Sequence, residues 1–381
     1  MKIYTLKDES PYKSNRFLIL FKKFLLMIHV DLPLLLGLIA LCSFGLFVLF
    51  SASNKNLILV YKQFVWVILS FGVMVVLALI PPSKYKSLAP WLFFITCGLL
   101  LIVLLAGFIS KGAQRWLSLG FFSFQPAEIM KIVMPLMLSW YLSEKQFPPK
   151  LKEIFIAICF LIIPVLLIAK QPDLGTAIIV MMAGLFVLLL SGMAWKIICY
   201  GFVLIVSFLP VLWHFLHTYQ KDRVLTFLNP ERDPLGAGYH IIQSKIAIGS
   251  GGLFGKGWLH GTQSQLHFLP EHATDFIFSV CGEELGFFVC FFVLSIFLYI
   301  TARGLYISYV ADDSFTRLLS GSLILTFFIS FFVNIGMVIG ILPVVGLPLP
   351  MFSYGGTSMV TLMAGFGIIM SIHSHKKLIT T

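Results

Sequence analysis

Two carboxylates and a histidine stand close together in FLPEHATDFIFS, residues 268–279: Glu271, His272 and Asp275. The stretch leads directly into apolar and aromatic residues, so Asp275 lies at the edge of a membrane-compatible segment, where charge is costly. Partial desolvation by Phe276, Ile277 and Phe278, and the like charge of Glu271, both strengthen a carboxylate as a general base. The competing reading makes Asp275 the N-cap of the helix that follows.

Other charges sit inside apolar runs. Glu128 and Lys131, in QPAEIMKIV, are three residues apart and share a helix face. They read either as a neutralised packing pair or as a pair in which Lys131 lines a polar cavity for an anionic headgroup. Asp173, in AKQPDLGTA, stands where a helix would begin and can cap it. Glu283 and Glu284 would either face the same cavity as Asp275 or pair with arginines of an outer loop. The cluster GSGGLFGKGW (249–258) resembles a phosphate loop only superficially. Gly255-Lys256 would need a glycine at Ser250 and a Ser or Thr at Gly257. No Cys/His set has zinc spacing, the six cysteines fall in apolar runs, and no carboxylate cluster reads as a metal site.

The elements that must position these residues are membrane helices. The 381-residue chain is 59% hydrophobic and 11% charged, with a mean hydropathy of +0.97, far from soluble composition. Runs long enough to span a bilayer occupy about 32–52, 59–81, 87–108, 126–143, 153–169, 175–192, 195–216, 276–301, 317–342 and 351–373. The segment 109–125 is too polar and Gly-interrupted to span. The expected fold is therefore an all-α polytopic membrane protein of about ten transmembrane helices. With the N-terminus inside, sixteen Lys and Arg flank the inner side, against five in short outer loops (Lys55, Lys62, Lys111, Arg115, Lys170). This places both termini in the cytoplasm. The net charge of +11 is then mainly a topology signal, and nucleic-acid binding is not expected.

Residues 1–30 form a cytoplasmic tail whose stretch FLILFKKFLLMIHV reads as a basic interfacial helix, with no cleavable signal. Residues 31–375 form one transmembrane domain, and 376–381 a short inner tail. The long outer loop 217–275, between the seventh and eighth spans, contains YHIIQSKIAIG, an amphipathic piece suited to lying on membrane lipids at the outer leaflet.

With these residues in view, the chain resembles the SEDS family of polytopic cell-wall glycosyltransferases. NIGMVIGILPVVGLPLPMFSYGGTS (334–358) looks like the family signature, with Asn334, Pro343, Ser353, Gly355 and Gly356 in place. GAQRW (112–116), FQPAEIMK (124–131), KQPDLGTA (170–177), PERDPLGAGYHIIQSKIAIGSGG (230–252) and TDFIFS-x-x-GEELG (274–286) look like further family blocks. GKGWLHGTQSQLHFLPE (255–271) is similar to the rod-shape branch.

The resemblance implies a bacterial inner-membrane enzyme that polymerises lipid II into glycan strands on the outer face during elongation and rod-shape maintenance. It also implies partnership with a class B penicillin-binding protein transpeptidase and other elongation-complex membrane proteins. The family's essential aspartate falls on Asp275, and its membrane Glu/Lys pair on Glu128 and Lys131. Here the histidine is one place displaced from the family's Pro-Glu-x-His-Thr-Asp, so His272 receives no catalytic role. A base at Asp275 needs cations for a departing diphosphate. Arg115, Lys131, Arg223 and Lys245 are the candidates, with Glu128 and Glu271 beside them and Asp173 a structural residue. No cofactor is required, although Mg²⁺ bridged by the diphosphate is compatible. The competing function is a lipid II flippase, and a scaffold role for other wall enzymes is compatible with either.

Overall fold

In hydrocarbon a backbone must satisfy its own N–H and C=O groups, so an apolar run of this length becomes a helix. Each of the ten expected runs is helical in the computed structural model, which describes residues 29–110, 113–118, 123–215, 218–232, 236–266, 268–269 and 271–376. Helices α1 (Leu32–Ala52), α2 (Leu57–Ala78) and α3 (Pro82–Ala106) are followed by α4 (Pro126–Ser143), α5 (Leu151–Lys170), α6 (Leu174–Leu190) and α7 (Trp195–Phe215). The outer loop contributes α8 (Thr218–Leu228), α9 (Ala237–Gly251) and the single turn α10 (Thr262–Gln265). The chain then re-enters as α11 (Ile277–Tyr309), α12 (Ser314–Val338) and α13 (Gly356–Ser374). Seven of these, α1, α2, α3, α5, α11, α12 and α13, are long and apolar enough to cross a membrane. The protein is a multi-pass membrane protein.

The fold departs from the all-α expectation between α3 and α4. There β1 (Phe108–Ser110), β2 (Ala113–Ser118) and β3 (Ser123–Phe124) form a small antiparallel sheet in the order β1-β2-β3. Phe108 pairs with Trp116 and Leu117 with Phe124. Pairing across strands satisfies backbone groups in a segment that is too broken for a helix. The interfacial helix expected over 17–30 and the tail beyond Lys376 lie outside the described residues, apart from His29 and Val30.

Helix α11 is longer than expected. It runs on to Tyr309, past the expected end at residue 301. Arg303 is therefore on a helix rather than in a loop. It grips Asp31, the N-cap of α1, through Nε (3.1 Å to Oδ1) and a terminal nitrogen (2.6 Å to Oδ2). His373 Nε2 of α13 lies 3.4 Å from the same carboxylate. One aspartate thus brings three helices together.

Near its N-terminal end α11 breaks at Gly286, at φ 79° and ψ −175°. A break frees the carbonyls of Glu283 and Glu284 and the amides of Phe287 and Phe288 from their helical partners. The glycine-rich loop after α9 takes all four. Lys256 N donates to Glu283 O (3.0 Å) and Gly257 N to Glu284 O (2.9 Å). Phe287 N donates to Gly252 O (3.0 Å) and Phe288 N to Leu253 O (3.3 Å). The approach is so close that a Cβ on Gly286 would stand 2.3 Å from Gly255 N. The cluster that imitates a phosphate loop in sequence is a backbone splice.

Helix α9 confirms the amphipathic piece, but its buried face, Ile241, Ser244 and Ala247, turns to protein. Ser244 Oγ lies 2.7 Å from Ser279 Oγ of α11 and donates to Val338 O of α12. Helix α13 begins at Gly356, five residues later than expected. Pro343, Pro348 and Pro350 keep the preceding loop irregular, because proline lacks an N–H and restricts its neighbour.

Candidate functional site

Three consecutive carbonyls hold the chain that carries Asp275. Tyr354 N donates to Ala273 O at 3.0 Å, Ser353 Oγ donates to Thr274 O, and Asn334 Nδ2 donates to Asp275 O at 2.9 Å. Asn334 Nδ2 also reaches Leu347 O (2.6 Å), and Ser353 Oγ accepts from Leu349 N (2.9 Å). The two signature residues thus knit the loop before α13 to the entry of α11. Asp275 itself is half-buried. The N-cap position of α11 is Phe276, the residue after Asp275.

Around it, Gly346 adopts φ 73°, and a Cβ there would lie 3.6 Å from Asp275 Oδ2. A side chain there would strain the backbone and stand in van der Waals contact with the carboxylate. The carbonyl of the neighbouring Val345 accepts from the Arg223 guanidinium at 3.3 Å. Lys245, exposed on α9, lies against Gly340 at the other end of the same loop. Glu271 is exposed at φ 52°. Its carbonyl accepts from Phe276 N (3.2 Å), and its carboxylate accepts from Thr274 Oγ1 (2.8 Å). His272 Nδ1 donates to Leu269 O at 2.8 Å, a contact within its own loop.

A second group lies deeper. Lys131 Nζ and Glu128 Oε2 are 2.6 Å apart, with both side chains largely buried, and Thr361 of α13 donates to Glu128 at 3.4 Å. Glu128 lines a cavity of about 430 Å³ with Trp66, Leu69, Gln125, Thr357 and Thr361. Gln125, at the N-cap position of α4, donates to Asp173, which caps α6 by accepting from Thr176 N at 3.2 Å. Arg115 of β2 hydrogen-bonds the carbonyls of Gln171 and Pro172 and approaches Asp173 Oδ1 at 3.9 Å. The guanidinium is engaged with the α5–α6 turn. The two groups adjoin where Gly175 meets the signature loop: a Cβ there would stand 3.0 Å from Val345 O.

The structure therefore gathers Asp275, Glu271, Asn334, Ser353 and Arg223 around one loop, and sets Glu128 and Lys131 together. Glu283 and Glu284 belong to neither group, contrary to the reading that gave them Asp275's cavity or arginine partners. Glu283, fully buried, accepts from Lys256 Nζ (2.7 Å), Thr262 N (2.8 Å), Thr262 Oγ1 (2.8 Å) and Gln263 N (3.1 Å). Glu284 accepts from Ser51 Oγ of α1 (2.7 Å), Leu259 N (3.2 Å) and Gly261 N (3.3 Å). Both bind the outer loop. Among the described residues no group of three or more His, Cys, Asp or Glu is disposed to hold a metal ion.

Sequence reasoning passed over Gln63. Its Nε2 donates to Ser353 O (3.3 Å), while its Oε1 accepts from Gly355 N (3.2 Å). The available signal was a lone amide within the second apolar run. Gly356 follows, so close to α2 that a Cβ would stand 2.4 Å from the Trp66 ring.

Comparison with known proteins agrees with this architecture. Residues 23–378 match the FtsW/RodA/SpoVE family of cell cycle proteins. The chain is 52% identical over 354 residues to peptidoglycan glycosyltransferase MrdB of Escherichia coli K12, covering 93% of this chain and 96% of that one. It is 31% identical to peptidoglycan glycosyltransferase RodA of Treponema pallidum, covering 91% and 98% of the two chains. Among solved structures, a chain from a peptidoglycan synthase complex that coordinates polymerization and crosslinking superposes with a TM-score of 0.80. It is 31% identical and covers 91% of this chain and 99% of its own. The rod shape determining protein RodA of Thermus thermophilus follows at a TM-score of 0.70, with 26% identity and 91% and 97% coverage. The present chain belongs to the FtsW/RodA/SpoVE family.

Proposed function

We propose that this protein is a peptidoglycan glycosyltransferase that polymerises lipid II into β-1,4 glycan strands at the outer face of the bacterial inner membrane during elongation. The observation that carries the reading is the 52% identity to a peptidoglycan glycosyltransferase over nearly the whole chain. Asp275, on its triply held segment, is the general base. It takes the proton of the acceptor 4-hydroxyl as that oxygen attacks the anomeric carbon of the donor. The anomeric carbon–oxygen bond to the lipid diphosphate breaks, and its electron pair leaves with the diphosphate. One displacement inverts the α-linked donor to a β-linked product.

Arg223 and Lys245 flank the loop that faces Asp275 and are the cations best placed for the departing diphosphate. Mg²⁺ carried by the diphosphate would add to them. Lys131, neutralised by Glu128 beside the cavity, and Arg115, engaged at the α5–α6 turn, are less free to meet the diphosphate. The resemblance to a chain of a peptidoglycan synthase complex supports a class B transpeptidase as partner. The test is incubation of the purified protein with fluorescent lipid II in detergent. Glycan ladders that vanish in Asp275→Asn support the enzyme. Absence of ladders, with lipid II crossing the bilayer of proteoliposomes, supports a flippase instead.

A further inference from the structure

Gln63 is a buried amide, 2% exposed, on the lipid-facing helix α2. A buried primary amide is costly unless its donors and acceptor are used. Here both ends are used on one short segment, Ser353 O and Gly355 N, and Nε2 also lies 3.7 Å from Met359 Sδ. Ser353 and Tyr354 are in turn two of the three donors that hold Ala273, Thr274 and Asp275. One turn along the same face of α2, Trp66 forms a wall of the 430 Å³ cavity that contains Glu128. A single helix therefore contacts the cavity and, through one amide, the segment that carries Asp275.

We infer that Gln63 is a positioning residue: it sets Asp275 by clamping Ser353 to Gly355, and links the α2 wall of the cavity to the base. This rests on the reading of Asp275 as general base. Breaking the clamp lets residues 353–355 move relative to α2, and the carboxylate loses alignment. Gln63 is buried with its amide bonded to the protein's own backbone, so the loss should fall on turnover rather than on binding.

The experiment compares wild-type protein, Gln63→Met, Gln63→Glu and Asp275→Asn, assayed on lipid II and normalised to the folded, monodisperse fraction. Gln63→Met keeps the length of the side chain and removes both polar ends. It is expected to lower kcat tenfold or more, with KM within about twofold of wild type. Gln63→Glu keeps the acceptor for Gly355 N but turns a buried carboxylate oxygen on Ser353 O, so its kcat should fall at least as far. Faster amide hydrogen exchange at Tyr354 and Phe276 should accompany the loss in both.

A kcat per folded enzyme within twofold of wild type overturns the inference, as does a loss confined to KM. If Gln63→Met yields no folded protein, Gln63→Glu decides by the same criteria. Asp275→Asn separates the two claims. Full turnover in that variant removes the base itself, whereas an inactive Asp275→Asn beside an unaffected Gln63→Met removes only the clamp.

Discussion

Asn334 of α12 donates the same amide nitrogen to the carbonyl of Asp275 at 2.9 Å and to that of Leu347 at 2.6 Å. It is fully buried, so both carbonyls depend on it. Asn334→Ala should cost about 1–3 kcal/mol for each carbonyl left without a donor. Asn334→Asp, which faces two acceptors with a third, should be worse. Thermal unfolding in detergent checks the order, and turnover should fall further than the melting shift accounts for. Equal stability of all three proteins would show that the bridge contributes nothing.

Asp275→Asn keeps the size of the side chain and the backbone bonds that hold it, so folding and membrane insertion should be unchanged. A positioned general base contributes about 10²–10⁴ in rate, and glycan synthesis should fall by that factor. Wild-type ladder formation by this variant would falsify the assignment.

Removing Glu128 strands Lys131, whose 2.6 Å partner it is. Breaking a buried pair from one side costs about 3–5 kcal/mol, so Glu128→Ala should lower both melting temperature and yield. Glu128→Ala combined with Lys131→Met removes the orphaned charge and should recover most of that loss. A double variant as unstable as the sum of the singles would mean that the two residues are uncoupled.

The carboxylate of Glu283 accepts from four donors of the outer loop. Hydrogen bonds to a charged group contribute about 1.5–3 kcal/mol each, and a neutral amide weakens them. Glu283→Gln should therefore speed limited proteolysis across residues 255–263 with only a secondary effect on turnover. Unchanged cleavage would mean that backbone bonds alone secure the loop.

Much of the scaffold was legible because a bilayer forces apolar runs into helices. Residues close in sequence also declared themselves: Glu128 and Lys131 by their spacing, and Asp173 by its place ahead of α6. What failed were relationships across the chain. Asp31 and Arg303 meet across 272 positions, and Gln63 meets Ser353 across 290. Neither pair leaves a local pattern. The break at Gly286 was hidden because GEELGFF is compatible with an unbroken helix, and its cause lies in a loop thirty residues earlier. The strands of 108–124 were missed because they are too short and too interrupted to show alternation. The start of α11 lies one residue beyond where the sequence sets it, after Phe276.

The splice at Gly286 has a consequence for biogenesis. Residues 252–257 leave the ribosome before α11 exists, yet their free amides and carbonyls match only the interrupted turn of that later helix. The final backbone pairing of the loop therefore forms only once α11 is present, which makes its closure a late step in folding.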